Sequence, residues 1–203
     1  MKFNEFIAWY PKNGERLYEL HDGEVFQMPH PRGDHSLLTA FIELQLILEI
    51  TRLQLPYFTG RRTLIKPSGK DTAYLPDVVI INKPNLTLEP FWRESAVVSQ
   101  AASIPLVIEV VGENWHDNYY RKLLDYQAIG IPEYWLVDYL GIGWQSDIGG
   151  NLQQPTILVY SLIELKYQVS QFREDDLIQS CVFQELNLSA KQIFENVECN
   201  PQP

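Results

Sequence analysis

Two acidic residues interrupt apolar segments of the sequence, where an ionised side chain is costly to bury. Glu109 lies within PLVIEVV at residues 105–111, and Asp77 lies within LPDVVII at residues 75–81. Segments this apolar are typical of strands buried on both faces of a sheet. If the two strands belong to one sheet, we expect the two carboxylates to meet. Their repulsion then raises one pKa unless a cation lies between them.

Mg²⁺ is the cation that suits this pair, because it binds one or two carboxylates together with waters and phosphate oxygens. A metal ion held in this way can activate water and stabilise the charge that develops during phosphodiester cleavage. The sequence therefore predicts Asp77 and Glu109 as metal ligands. Two alternatives stay open: Asp77 follows Pro76 and could cap a turn, and Glu109 could lie at a strand end with its carboxylate in water.

A positive charge near the scissile phosphate would complete such a site. Lys122 is the candidate, because it lies on a predicted helix that follows the Glu109 strand and could lean over the strand end. The relevant face of this helix holds residues at helical spacing: Trp115, Tyr119, Lys122 and Tyr126. The alternative is an exposed lysine paired with Asp125.

The elements that would position these residues follow from the apolar periodicity and from the turn residues. Their expected bounds are a hairpin at 17–28, a helix at 35–55, strands at 57–66, 72–81 and 105–111, a helix at 117–129, a strand at 133–138, a β-meander at 156–182 and a short helix from 189. Residues 82–104 are less regular. A helix that links the strands at 105–111 and 133–138 makes a right-handed crossover, so we expect an α/β sandwich around a mixed sheet.

Local signals predict the ends of these elements. Asp22 and Gly23 form the hairpin turn. Asp34 is the predicted N-cap of the long helix, and Pro56 ends it. That helix is predicted to be mostly buried, along a face formed by Leu37, Phe41, Leu44 and Leu48.

Composition limits the class of protein. The 203 residues fit one globular domain, and a 45% share of apolar residues is enough for a core. A net charge of −10 argues against a generic nucleic-acid coat protein but leaves room for a small basic groove on an acidic body. Cys181 and Cys199 fit no metal spacing and are predicted to be reduced thiols of a cytoplasmic protein. We expect no signal peptide and no membrane partner, because no apolar run is long enough to span a bilayer.

Four stretches of the chain resemble the PD-(D/E)XK nuclease superfamily. More closely, they resemble the bacterial family of "putative restriction endonucleases", long named a domain of unknown function. The stretches are YELHDGEV at 18–25, LPDVVI at 75–80, PLVIEVV at 105–111 and RKLLDYQAIGIPEYWLVD at 121–138. The resemblance implies one nuclease-like domain over residues 1–203. Its restriction-endonuclease-like αβββαβ core covers about 17–138, and residues 139–203 add the β-meander and the short helix.

The resemblance also implies roles for individual residues. Asp77 and Glu109 would be the metal ligands, with Mg²⁺ as the cofactor or Mn²⁺ in its place. Val111 stands where the superfamily has a lysine, and in this family a lysine of the following helix takes that role, which points to Lys122. Glu24, in the recurrent DGE of the family, is a candidate fourth catalytic residue. The alternative is that Glu24 is a turn residue of an exposed hairpin.

Other polar positions are assigned supporting roles. His35 stands at a helix start where the family often carries histidine, and is interpreted as a supporting or structural residue. Asp138 ends its strand and is interpreted as a turn residue. Many family members have a Ser/Pro-rich turn where this chain has GENWHDN, so Glu113 and His116 either add ligands or reshape the rim of the site.

Three functions are compatible with these residues. The first is a Mg²⁺-dependent endonuclease that hydrolyses DNA phosphodiester bonds. The second is a binding or assembly module that keeps the nuclease fold with little or no activity; the net charge and the displaced lysine favour it, whereas the retained acids oppose it. The third is a metal-dependent hydrolase of another phosphoester.

A second copy of the chain is the other expected partner. The predicted meander leaves an edge strand, and a symmetric homodimer would cover such an edge. The alternative is a monomer whose meander folds over its own core.

Overall fold

The computed structural model describes residues 1–10, 16–111, 118–141 and 154–196. The helices in these residues are α1 Phe3–Trp9, α2 Gly33–Arg52, α3 Trp92–Ser95, α4 Asn118–Ile129 and α5 Ala190–Phe194. The strands are β1 Tyr18–His21, β2 Glu24–Gln27, β3 Tyr57–Thr59, β4 Leu64–Ile65, β5 Val78–Asn82, β6 Val97–Val98, β7 Leu106–Val110, β8 Glu133–Asp138, β9 Thr156–Ile163 and β10 Lys166–Phe172. Two 3-10 helices, Lys83–Leu88 and Ala101–Ser103, lie in the segment that the sequence predicts to be irregular.

Six strands form one mixed sheet in the order β10-β9-β8-β7-β5-β3. β7 and β8 are parallel and are linked through α4, whereas the other neighbouring pairs are antiparallel. In chain order, α2, β3, β5, β7, α4 and β8 form the predicted αβββαβ core. β1 and β2 form the predicted N-terminal hairpin, and β4 and β6 form a separate parallel pair. The predicted α/β fold class with a mixed sheet is therefore confirmed.

Both faces of the sheet are covered, which explains why its central strands are apolar throughout. The residues of β7 that pack on the α2 side are Leu106, Ile108 and Val110. Val107 and Val111 pack on the opposite side, in the core that contains Tyr126 of α4. Because successive side chains of a strand point to opposite faces, Glu109 lies on the same side of the sheet as α4.

The buried face of α2 differs from the predicted one. The buried apolar residues of this helix are Leu38, Ile42, Leu46 and Ile50. Three of the four residues predicted to be buried are exposed: Leu37 at 48%, Leu44 at 50% and Leu48 at 55%. Phe41, the fourth, is half-buried and packs against the core. The helix carries two apolar stripes. The sheet buries the stripe from Leu38 to Ile50, whose residues are spaced four apart, and leaves the predicted stripe largely exposed.

The ends of α2 also shift from the prediction. The helix begins at Gly33 with Arg32 as its N-cap, so Asp34 lies in the first turn, where a carboxylate favours the helix dipole. The last helical residue is Arg52, and Leu53 is the C-cap. Pro56 therefore lies beyond the helix rather than at its end.

Three predicted strands are interrupted. The predicted strand at 72–81 is regular only from Val78 in β5, and Ala73 and Tyr74 form isolated bridges before it. Residues 57–66 form β3 and β4 rather than one strand, because a turn at Arg61 and Arg62 separates them. The predicted third strand of the meander is an isolated bridge between Leu177 and Ser189. In that segment the backbone N–H groups of residues 181 and 182 donate to the side chain of Glu133, so they are not used in a ladder of strands. The predicted short helix is present as α5.

Within the described residues, no helix combines the length and the apolar character needed to cross a membrane.

Candidate active site

A cavity of about 760 Å³ lies where β5, β7, α2 and α4 come together. Three of the four predicted catalytic residues line it, namely Asp77, Glu109 and Lys122, and so does His35. Glu24, the fourth, does not line the cavity. Glu109 and Lys122 are buried at 2% and 3% exposure, whereas Asp77 is half-buried. The structure therefore brings the two predicted metal ligands and the predicted lysine to one cavity.

Glu109 is held at the inner end of this cavity by two side chains of α4. Its Oε1 accepts hydrogen bonds from Lys122 Nζ at 2.9 Å and from the Tyr126 hydroxyl at 2.9 Å. These two residues are four positions apart on the helix, so they lie on one face, as the sequence predicts. Glu109 is not at an exposed strand end, which removes the alternative that its carboxylate lies in water.

Lys122 bridges two buried carboxylates. Its Nζ lies 2.9 Å from Glu109 Oε1 and 2.9 Å from Glu19 Oε1. The ammonium also lies over the ring of Tyr119, at 5.9 Å from the centroid. The alternative pairing with Asp125 is not formed: the carboxylate of Asp125 accepts from Lys70 and Tyr74 instead.

Glu19 is the site residue that the sequence interpretation misses. It lies in β1 and is buried, and its Oε1 also accepts the backbone N–H of Leu75 at 2.8 Å. Its Oε2 lies 2.7 Å from His21 Nε2. The signal was present in the sequence: Glu19 stands between Tyr18 and Leu20 on a short strand, as Glu109 stands between apolar residues on β7.

The cluster of Glu19, Glu109 and Lys122 contains two carboxyl groups and only one ammonium. Burial acts to raise the pKa of Glu19, but Lys122 and His21 outweigh burial and the pKa is lowered. Burial acts to lower the pKa of Lys122, but Glu109 and Glu19 outweigh it, so the pKa is raised and the ammonium stays charged. The pKa of Glu109 is raised to about 8, because burial and repulsion from Asp77 and Glu19 exceed the effect of Lys122. One ammonium therefore does not neutralise the carboxyl groups around it.

Asp77 lies directly before β5, the antiparallel neighbour of β7. Its Oδ2 accepts the backbone N–H of Val110 at 2.7 Å, which ties it to the strand that carries Glu109. Its Oδ1 lies 3.2 Å from His35 Nε2. Burial acts to lower the pKa of His35, but the contact with Asp77 outweighs burial and raises it. His35, in the first turn of α2, thus supports Asp77.

The structure does not bring Glu24 into the site. It is exposed on β2, next to the hairpin turn, and does not line the cavity. The turn at Asp22 and Gly23 leaves Glu24 at the outer end of the hairpin, whereas Glu19 reaches Lys122. Asp138 ends β8 and does not line the cavity either. Trp115, Glu113 and His116 lie outside the described residues.

The donor set of the cavity fits magnesium. Among the described residues, no three His, Cys, Asp or Glu side chains come together as a metal cage. Mg²⁺ does not need such a cage, because it binds through one or two carboxylates and keeps several waters. Glu109 on β7 and Asp77, directly before the neighbouring β5, supply hard oxygen donors, and the raised pKa of Glu109 indicates excess negative charge that a cation would offset.

A mixed sheet in an αβββαβ order, with one acid on β7 and another directly before the neighbouring β5, defines a restriction-endonuclease-like nuclease fold. A crystal structure of "a putative nuclease belonging to DUF820" from Anabaena variabilis has the same fold, with a TM-score of 0.73. The two chains are 20% identical, and the match covers 97% of this chain and 99% of that one. The family model "Uma2: Putative restriction endonuclease" matches residues 3–191, so the chain belongs to this family. No curated protein matches it.

Proposed function

We propose that the protein is a Mg²⁺-dependent endonuclease that hydrolyses DNA phosphodiester bonds. The observation that carries this proposal is the buried Lys122, which contacts Glu109 in the cavity that Asp77 also lines. Family membership supports a nuclease in general. The choice of metal and of DNA comes from the chemistry of the side chains.

Asp77 and Glu109 would hold the metal ion. When bound, Mg²⁺ supplies a more acidic water and stabilises the negative charge that develops on the phosphate. The protein fixes Asp77 through the Val110 N–H and through His35, so its carboxylate has little rotational freedom. Glu109 is fixed by two donors from α4.

Lys122 would provide the positive charge for the scissile phosphate. Its ammonium lies over the rings of Tyr74 and Tyr119, and its raised pKa keeps the ammonium charged at neutral pH. Glu19 of β1 positions this ammonium through a second ion pair at 2.9 Å. The ammonium can donate to a phosphate oxygen as charge develops there, which is the kind of interaction that favours the transition state.

The test of this function compares substitutions of two acidic residues, Asp77 inside the cavity and Glu24 outside it. We expect Asp77→Ala to abolish Mg²⁺-dependent cleavage of DNA oligonucleotides, and Glu24→Gln to leave it unchanged, because Glu24 is exposed outside the cavity. EDTA should abolish cleavage by the wild type. Equal activity of the wild type and the Asp77→Ala variant would assign the cleavage to a contaminant and remove the proposal.

A catalytically weak binding module is the second candidate. It is favoured by Val111 at the superfamily lysine position and by the engagement of Lys122 with two carboxylates. This candidate predicts nucleic-acid binding without cleavage in Mg²⁺ or Mn²⁺. A homodimer and a cytoplasmic location remain part of the proposal and rest on the sequence.

A further inference from the structure

The cavity changes in character between its buried floor and its exposed mouth. We call Glu19, Glu109 and Lys122 the floor, since all three are buried. Among the described residues that line the cavity, the exposed charged ones are all arginines: Arg32, Arg61 and Arg62. We call these three the mouth. The chain has 26 Asp and Glu residues against 16 Lys and Arg residues, so its overall charge is negative. A mouth with exposed arginines and no exposed carboxylate therefore has the opposite charge to the chain as a whole.

The sheet holds the turn that carries two of the arginines of the mouth. Arg61 and Arg62 form the turn between β3 and β4. Just before it, the backbone N–H of Gly60 donates to the carbonyl oxygen of Val79 at 2.9 Å. A Cβ atom on Gly60 would come within 2.9 Å of Ile81 Cγ1, so the backbone rests directly on β5. The turn is therefore anchored to the strand that begins directly after the candidate metal ligand.

Arg61 keeps N–H donors for a ligand. Arg61 is 86% exposed, and its ion pair with Glu43 spans 3.7 Å. A guanidinium group has five N–H donors, so one such contact leaves others for an anion. Arginine binds phosphate through two parallel hydrogen bonds, which fixes the orientation of the phosphate as well as its position.

The size of the cavity limits the form of the nucleic acid. A scissile phosphate must reach Lys122, which is buried at the floor. A volume of about 760 Å³ lies within the range of pockets that hold small molecules, on the order of 300–1,000 Å³. Such a cavity has room for a nucleotide or two, whereas a double helix would stay outside it and leave its phosphates away from the buried Lys122. A single strand can enter with one phosphate at the floor and its neighbours at the mouth.

We propose that Arg32, Arg61 and Arg62 form a phosphate-binding mouth that holds the backbone of single-stranded nucleic acid. The proposal rests on the nuclease function proposed above and adds the form of substrate that the site takes. It also explains how an acidic protein can bind a polyanion: the contact is confined to one basic opening.

Binding of a short fluorescein-labelled single-stranded oligonucleotide tests the mouth. Fluorescence anisotropy is measured with the full chain in EDTA, over a range of salt concentrations. We expect the double variant Arg61→Gln, Arg62→Gln to bind at least tenfold more weakly than the wild type. The slope of log K against log salt should fall by about 1.4, since each phosphate contact to a single strand contributes about 0.7.

Matched variants separate this effect from a general loss of charge or fold. Arg93→Gln removes an exposed arginine of α3 that does not line the cavity, and should bind like the wild type. The double variant Arg61→Lys, Arg62→Lys keeps both charges, so it should retain the salt slope while losing the bidentate contacts. Circular dichroism confirms that each variant is folded.

Several results would overturn the proposal. Equal binding by the Arg61→Gln, Arg62→Gln variant and by Arg93→Gln would refute the mouth. Duplex DNA bound as tightly as the single strand would refute the preference for one strand. A parallel cleavage assay separates this proposal from the proposed function. Cleavage that is insensitive to Arg61 and Arg62 would refute the mouth and keep the nuclease. Arginine-dependent binding without any cleavage would support the mouth and refute the nuclease.

Discussion

At the scale of single residues, the site depends on one ammonium shared by two buried carboxyl groups. Removing the partner of a buried charge is strongly destabilising, because the remaining charge is left uncompensated. We expect Lys122→Met to lower the free energy of unfolding by about 3 kcal/mol. Among molecules that remain folded, cleavage should fall about 100-fold, as for the loss of one electrostatic group. Urea unfolding and a cleavage assay measure the two effects. Wild-type cleavage by Lys122→Met, in a series where Asp77→Ala is inactive, would contradict the role of the lysine.

The raised pKa of Glu109 predicts how the stability of the metal-free protein changes with pH. The folded carboxyl keeps its proton up to about pH 8, whereas an unfolded one ionises near 4.5. Between these values the folded state binds more protons, so the free energy of unfolding falls as pH rises, by at most about 1.4 kcal/mol per pH unit. Urea unfolding in EDTA should show this fall. Glu109→Gln should reduce it to the smaller fall that His35 contributes, because the pKa of His35 is also raised in the folded state.

Magnesium should also change the free energy of unfolding, through the ionisation of Glu109. A carboxylate must be ionised to bind a metal ion, so added Mg²⁺ should stabilise the wild type more at about pH 8 than at about pH 5. Glu109→Gln should lose most of this difference. The same stabilisation at both pH values would show that Glu109 is not a ligand, whatever the cleavage assay finds.

The identity of the site residues was largely available in the sequence, with one informative exception. Asp77 and Glu109 were visible as acids in apolar strands, and Lys122 as a lysine at helical spacing from aromatic residues. Glu24 and Glu19 lie on opposite sides of one hairpin turn. Sequence spacing does not say which of the two reaches α4. That choice depends on how the hairpin packs against the rest of the chain.

At the scale of elements, the positions of helices and strands were predicted better than their contacts. α4, β7 and β8 lie close to their predicted bounds because each has a distinct apolar pattern and clear end signals. α2 carries two apolar stripes, and only its packing against the sheet selects the buried one. The missing third strand of the meander has a similar cause, because its backbone donors are used by a side chain from β8.

Glu133 of β8 gives a testable account of that missing strand. It is fully buried, and its carboxylate accepts hydrogen bonds from four groups: the Trp135 indole N–H at 2.6 Å, the Ser180 hydroxyl at 2.7 Å, and the backbone N–H groups of Cys181 and Val182. Glu133→Gln would turn an amide NH₂ toward N–H donors. Because hydrogen bonds to a charged group contribute about 1.5–3 kcal/mol each, we expect a loss of at least about 2 kcal/mol.

The control for this prediction is Glu94→Gln, at an exposed position on α3. It should change the free energy of unfolding by less than about 0.5 kcal/mol, as is usual for surface substitutions. Chemical denaturation measures both variants. Equal stability of the two would mean that the carboxylate of Glu133 does not hold the C-terminal segment to the sheet.

At the scale of the whole molecule, the exposed stripe of α2 bears on the predicted homodimer. Its residues, Leu37, Phe41, Leu44 and Leu48, alternate in steps of four and three along the helix, which is the spacing of a coiled-coil seam. Three of them are about half exposed, and contiguous apolar surface of this kind is typical of association sites. We therefore expect the second copy to dock against α2 rather than only along the sheet edge at β10.

Light scattering at micromolar concentration measures whether the protein is a dimer. We expect the wild type to have twice the chain mass of 23.6 kDa. The double variant Leu44→Glu, Leu48→Glu should have the mass of one chain, because a symmetric contact places each added charge near its own copy in a desolvated interface. Leu88→Glu changes another exposed leucine, which is 58% exposed outside α2, and should leave the dimer intact. A wild-type protein with the mass of one chain would rule out the dimer, and a dimeric double variant would move the interface away from α2.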